Sequence, residues 1–204
     1  MLTPSKIVCI GRNYAAHAKE LGNEVPKEPL IFLKPPSSLI VSGESIRLPT
    51  VSKQVEYEGE IGVVVSRTLR RASADEARQA IAGIVAANDV TARDLQKSDG
   101  QWTRAKGFDT FCAVGEMAAA PAHLETLTVT TRVNGSVRQQ GKATDMVFDI
   151  PAILSYISNI MTLEAGDLVL TGTPDGVGKL AAGDVVEVEI AGVSRVSNPV
   201  TNDA

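Results

Sequence analysis

The stretch Val55-Glu56-Tyr57-Glu58-Gly59-Glu60-Ile61-Gly62-Val63-Val64-Val65 sets acidic residues at every second position ahead of a strongly β-forming run. Side chains two apart on a strand point the same way, so Glu56, Glu58 and Glu60 are expected on one face. Carboxylates one strand step apart repel unless water or a cation separates them. Two readings stay open at this point: a solvated acidic edge, or oxygen donors for a hard divalent cation. Asp89 ends the apolar run Ile84-Val85-Ala86-Ala87-Asn88. A carboxylate delivered by a buried strand needs a cation, a donor or water, which makes Asp89 a third candidate ligand. The set Glu58, Glu60 and Asp89 is all oxygen, favouring Mg²⁺ or Mn²⁺ over zinc, with Ca²⁺ as a substitute in a crystal.

Other chemistry-bearing residues are fewer. His17 and Glu20 are three apart on a short helix predicted over Tyr14 to Leu21, so they share a face and can hydrogen-bond. They are either a surface pair or an acid–base dyad on a mobile segment. Lys106 lies among Trp102, Phe108 and Phe111. A surface lysine with a snorkelling stem is its ordinary explanation. Gly172 to Lys179 loosely resembles a phosphate loop, but its glycines are too far apart and Leu180 stands where Ser or Thr is required. His123, in a loop without an acidic neighbour in view, reads as a surface histidine.

These residues need elements to position them. Strands are predicted at Lys6 to Ile10, Leu30 to Leu33, Leu39 to Val41 and Ile46 to Leu48, in the acidic stretch, and at Ile84 to Asp89. Asn13 is the expected cap of the first helix and Gly22 its stop. Ser73 to Glu76 has a capping-box pattern and opens a helix to about Ala82. Thr91 to Lys97 reads as a helical turn, and Val129 to Arg138 as a hairpin turning at Asn134-Gly135. Asp149 caps a helix from Ile150 to Met161 whose apolar stripe is Ile150, Ile153, Leu154, Ile157, Ile160 and Met161. Asp167 to Thr171 is a strand, and Val186, Val188 and Ile190 alternate with Glu187 and Glu189 on the last one.

The totals limit the function. The chain has 204 residues, 44% hydrophobic and 22% charged, an ordinary balance for one globular domain spanning 1–204. Its net charge of −4 and 4% aromatics argue against nucleic acid. Cys9 and Cys112 follow no metal-ligand spacing and read as buried thiols. No apolar run nears membrane-spanning length and no signal-peptide layout is present, so a cytoplasmic protein away from membranes is expected.

Several phrases, in order, resemble the fumarylacetoacetate hydrolase family, in particular its short acylpyruvase-like members. They are Gly11-Arg12-Asn13-Tyr14-Ala15-Ala16-His17, Pro29-Leu30-Ile31-Phe32-Leu33-Lys34-Pro35, Tyr57-Glu58-Gly59-Glu60-Ile61-Gly62, Asn88-Asp89-Val90-Thr91-Ala92-Arg93-Asp94-Leu95-Gln96, Trp102-Thr103-Arg104-Ala105-Lys106 and Leu170-Thr171-Gly172-Thr173-Pro174-Asp175-Gly176. The resemblance runs from about Lys6 to Val196. It implies an α+β, mostly β fold, a mixed rolled, barrel-like sheet with a few short helices, and a homodimer. It also implies metal ligands at Glu58, Glu60 and Asp89, catalytic His17, Glu20 and Lys106, and substrate contacts at Arg12, Gln96, Gly172 and Thr173.

The implied activity is metal-dependent cleavage of an acylpyruvate, such as acetylpyruvate or fumarylpyruvate, to pyruvate and a carboxylic acid. The alternative is isomerisation or decarboxylation of an unsaturated 2-oxo dioic acid from aromatic catabolism (of the 2-hydroxyhepta-2,4-diene-1,7-dioate type), or decarboxylation of oxaloacetate. A non-catalytic metal-binding scaffold is a third reading. A dioic acid needs a cation for its far carboxylate, for which Arg12, Lys34 and Arg104 are the candidates.

Overall fold

The structure is a computed structural model describing residues 2–203. The strands and helices follow in the order β1 (Ile7–Gly11), α1 (Ala15–Glu20), β2 (Leu30–Lys34), β3 (Leu39–Val41), β4 (Ile46–Leu48), β5 (Val55–Tyr57) and β6 (Gly59–Val65). Then come α2 (Ala74–Gln79), β7 (Ile81–Asp89), β8 (Thr91–Ala92), α3 (Arg93–Asp99), α4 (Thr103–Lys106), β9 (Cys112–Val114), β10 (Thr128–Val133) and β11 (Ser136–Lys142). The chain continues through α5 (Ile150–Ile160), β12 (Leu168–Leu170), β13 (Gly178–Lys179), β14 (Val185–Ile190) and β15 (Ser194–Asn202).

A seven-stranded sheet runs β2-β1-β12-β6-β7-β9-β3, a five-stranded one β11-β10-β14-β15-β4, and a three-stranded one β13-β5-β8. Parallel pairs (β1 with β12, β3 with β9, β15 with β4) mix with antiparallel ones. The result is the expected mostly β, curled half-barrel with short helices. Period-two alternation builds two apolar layers from one sheet. Ile61, Val63 and Val65 face Val129, Val186, Val188 and Val196 of the second sheet in the larger cluster. Val64 turns the other way, with Ile7, Cys9, Val85, Cys112, Leu168 and Leu170. Both cysteines are free and buried, and burial pushes the Cys112 thiol up to about 12.

Turn and cap chemistry accounts for the elements best seen in the sequence. Asn134 and Gly135 take φ 52° and 77°, as a type I′ hairpin turn requires. Ser73 and Glu76 close a reciprocal capping box, and Asp149 accepts from the Ala152 N–H at 2.8 Å. Several expectations need correction. Asn13 caps no helix: its Nδ2 donates to Phe148 O and Thr171 O while its Oδ1 accepts from Phe148 N–H, tying three segments together. Tyr14 is held in a bridge to Met146, which delays the helix by one residue. The second helix stops at Gln79 because pairing with β6 reaches back to Ile81. The turn at Thr91 to Lys97 divides into β8 and α3. Ile160 is 57% exposed, while Ser158 is buried and its Oγ accepts from Ala72 N–H. The strand β15 was not expected, since Asn and Pro are poor strand formers. It forms because β14 and β4 flank it and Ser194, Val196, Asn198 and Val200 alternate inward.

Asp167, at the entrance to β12, is fully buried. Its carboxylate accepts from Ser5 N–H, Ser5 Oγ, Lys6 N–H and Glu164 N–H and pairs with Lys6 Nζ. Burial pushes this carboxyl up, but Lys6 and the surrounding donors outweigh it and hold the group below its usual value. A depressed folded-state pKa stabilises above the unfolded value of about 3.9, and that stability is lost as pH falls through the folded value. Asp167→Asn is therefore expected to cost about 2–4 kcal/mol near neutrality and progressively less in acid. Urea melts near neutrality and near pH 3 check this; an equal deficit at both would contradict it.

Candidate active site

Strand register gathers the carboxylates. In the β6–β7 pair Glu60 lies opposite Ala87. Asp89, two residues on, keeps the side of Ala87, and its N–H bonds to Glu58 O at 2.8 Å. Side chains at alternate positions share a face, so Glu58, Glu60 and Asp89 converge, one oxygen from each lying within 4.8 Å of the others. Gly59 allows the sheets to close behind them: a Cβ there would stand 1.9 Å from Thr131 Oγ1.

The solvated-edge reading fails, because Glu56, Glu58, Glu60 and Asp89 are all buried. Glu56 does not join the cluster; its carboxylate takes Arg93 Nε at 2.8 Å and Gln54 Nε2 at 2.6 Å. The same guanidinium reaches Glu58 Oε1 at 2.5 Å and Gln96 Oε1 at 2.5 Å. Lys106 is buried too, against the surface reading, and bridges Glu58 Oε2 and Asp89 Oδ2 at 2.7 Å each. Lys34 Nζ donates to Asp89 Oδ1 at 2.6 Å and to Val90 O at 3.1 Å.

Four buried carboxylates thus meet three buried cations. Burial alone would raise Glu58, but Lys106 and Arg93 hold it well below the carboxylate range. Glu60 has the Gly172 N–H at 2.7 Å and, among the described residues, no ion pair of its own. Burial, Asp89 and Glu58 push it well above that range. An all-oxygen cluster with one carboxylate short of a positive charge fits a hard divalent cation.

The dyad lies beside this cluster. His17 is buried on α1, its Nδ1 3.1 Å from Glu20 Oε2, and Glu20 Oε1 accepts from Gly176 N–H at 3.0 Å. The glycine-rich loop therefore fixes Glu20, and Glu20 fixes His17. Tyr57 Oη steadies the loop by donating to Gly176 O at 3.0 Å. Thr173 lines the cavity, and its hydroxyl donates to Gly59 O at 2.9 Å and accepts from Gln139 Nε2 at 2.8 Å, so its proton is committed within the protein. The Gly172 N–H is likewise taken by Glu60.

A cavity of about 440 Å³ opens onto these groups, lined by His17, Glu20, Glu58, Glu60, Lys106 and Thr173, with Arg12 and Gln96 also at its wall. Arg104 is not among its lining residues and pairs instead with Asp99. His123 is exposed as expected, although Glu125 does sit 2.9 Å from it. The sequence reading missed Arg93 and Gln139 and misjudged Lys34. A signal was available: several buried acids require nearby cations, and Lys34 and Arg93 both sit within the phrases that carried the resemblance.

The fumarylacetoacetate (FAA) hydrolase C-terminal family matches residues 6–201. The chain is 46% identical to a mitochondrial oxaloacetate tautomerase of Arabidopsis thaliana, covering 94% of this chain and 89% of that protein. It is 42% identical to a mitochondrial oxaloacetate decarboxylase of Dictyostelium discoideum, over 94% and 91%. A crystal structure of a 2-hydroxyhepta-2,4-diene-1,7-dioate isomerase from Mycobacterium marinum superposes with a TM-score of 0.91 at 43% identity, covering 100% of this chain and 77% of that one. Sequence, fold and the convergence of the motif residues agree: the chain belongs to the fumarylacetoacetate hydrolase family.

Proposed function

We propose that this protein enolises a 2-oxo acid by proton transfer at the carbon beside the keto group, interconverting keto and enol forms. Loss of CO₂ from a 2-oxo acid with a β-carboxylate is a variant, in which the electron pair of the broken C–C bond passes into the 2-oxo group and leaves an enolate of the same kind, one carboxylate shorter, for protonation. The observation that carries this reading is the His17–Glu20 dyad, with its imidazole buried, opening into one cavity with Glu58 and Glu60 of the acidic cluster. The names of the relatives support it over acylpyruvate hydrolysis, the first expectation from sequence.

Each residue has a task. Glu20 accepts the Nδ1 proton of His17, which leaves Nε2 with the lone pair that removes the substrate proton. The Glu20 carboxylate then stabilises the imidazolium, and its bond to Gly176 N–H keeps the ring oriented. Lys106 has three N–H donors, two of them spent on Glu58 and Asp89. The third offsets negative charge growing on the keto oxygen. Glu58, Glu60 and Asp89 would hold Mg²⁺ or Mn²⁺, which when bound supplies Lewis-acid stabilisation of charge on oxygen.

The test follows enol loss and CO₂ release from oxaloacetate, with Mg²⁺ and then with chelator, beside pyruvate and acetate release from acetylpyruvate. Metal-dependent acceleration on oxaloacetate is expected. Equal pyruvate and acetate from acetylpyruvate, with oxaloacetate untouched, would replace enolisation by hydrolysis.

A further inference from the structure

Two cations stand on successive members of one aromatic pair in the cavity wall. Phe32 and Trp102 pack edge to face with centroids 5.3 Å apart. Lys106 Nζ lies 4.9 Å from the Phe32 centroid, at the carboxylate cluster. The Arg12 guanidinium lies 5.9 Å from the Trp102 centroid, further along the same wall. We propose that Arg12 receives the far carboxylate of a 2-oxo dioic acid whose 2-oxo acid end sits at Lys106 and the acidic cluster. On this assignment the cavity selects dioic over monocarboxylic 2-oxo acids. The inference rests on the reading of the cluster as a 2-oxo acid site.

The other cations are committed elsewhere. Lys34 is fully buried against Asp89, Arg104 pairs with Asp99, and Arg93 spends Nε and both terminal nitrogens on Glu56, Glu58 and Gln96. Arg12 lines the cavity, is half-buried, and pairs with no carboxylate among the described residues. A half-buried guanidinium without an anion is poised to take one, and its planar fork matches a carboxylate through two parallel bonds.

The backbone supports the same placement. Arg12 adopts φ 59°, a left-handed conformation that a long side chain takes only where its surroundings impose it. The residue before it is glycine, and a Cβ there would lie 2.8 Å from Trp102 Cζ3 and 2.9 Å from Leu30 Cδ2, so its absence lets the indole lie close against the chain. The chain thus turns sharply around the indole and lays the guanidinium over it. Lys97 also lines the cavity but is exposed on α3, and no aromatic ring holds it.

The experiment compares 2-oxoglutarate with 2-oxopentanoate, which replaces the far carboxylate by a methyl group, by calorimetry on Mg²⁺-loaded protein. Arg12→Asn is the informative variant because asparagine tolerates the left-handed turn. Wild type is expected to bind the dioic acid about 30-fold more tightly, as a charge-assisted bidentate pair does. Arg12→Asn should bring the ratio to within about threefold by weakening the dioic acid alone, while Lys97→Met keeps the preference. A wild-type ratio near one, a ratio unchanged in Arg12→Asn, its collapse in Lys97→Met, equal weakening of both ligands, or binding of neither would each overturn the assignment. Oxaloacetate turnover is measured in parallel. Its absence with the binding ratio intact removes the enolisation reading and leaves the Arg12 contact standing.

Discussion

His17→Gln is expected to lower turnover of oxaloacetate enol by about 10³-fold, in the middle of the range for a positioned general base. Glutamine keeps a polar side chain of similar reach but has no nitrogen able to take a proton at neutral pH. The loss should fall on kcat and leave KM within about threefold, because His17 acts on the proton in flight rather than on the bound carboxylate. Glu20→Gln should cost less, since it loses the imidazolium partner while the amide still accepts from Gly176 N–H. A rise in melting temperature on adding Mg²⁺, equal in the variant and the wild type, reports an intact cluster. Turnover within about threefold of wild type in His17→Gln would remove the dyad from the mechanism.

Lys34→Met should destabilise the metal-free protein by about 3–5 kcal/mol, the usual result of stripping one partner from a buried ion pair. Lys34 and Asp89 have no side-chain exposure, and the ammonium also serves Val90 O. Removing it leaves Asp89 with Lys106 as its single cation, in a cluster already one positive charge short. At this chain length the loss corresponds to a fall in melting temperature of roughly 10 °C. Mg²⁺ should recover part of it, because a divalent cation among Glu58, Glu60 and Asp89 supplies the missing charge. Thermal melts with chelator and with Mg²⁺ measure both effects. An unchanged melting temperature in chelator would mean that the Lys34 contact contributes nothing net, and equal deficits in chelator and Mg²⁺ would place the cation elsewhere.

Local chemistry was legible in the sequence wherever it acts over a few residues. The Asn134-Gly135 turn, the Ser73–Glu76 capping box, the Asp149 cap and the His17–Glu20 pair depend on neighbours within about one helical turn, and each stands where the residues placed it. Strand periodicity put Glu58 and Glu60 on one face, and the demand of a buried acid for a partner made Asp89 a further candidate, but the same period also put Glu56 there, and the fold sends its carboxylate to Arg93 and Gln54 instead. What the tertiary structure alone decided is which cation answers which carboxylate. Lys34, Arg93 and Lys106 come from β2, α3 and α4, and only the packing of those elements sends Arg93 to Glu56, buries Lys106 between two acids, and lays Arg12 over Trp102. Asn13 and β15 teach the same lesson: an amide that could cap a helix instead joins three segments, and a weak strand former is held by strands on both sides. Burial is a collective property, and in a dry interior a charge or amide is governed by whatever partner the fold brings within reach, however distant in the chain.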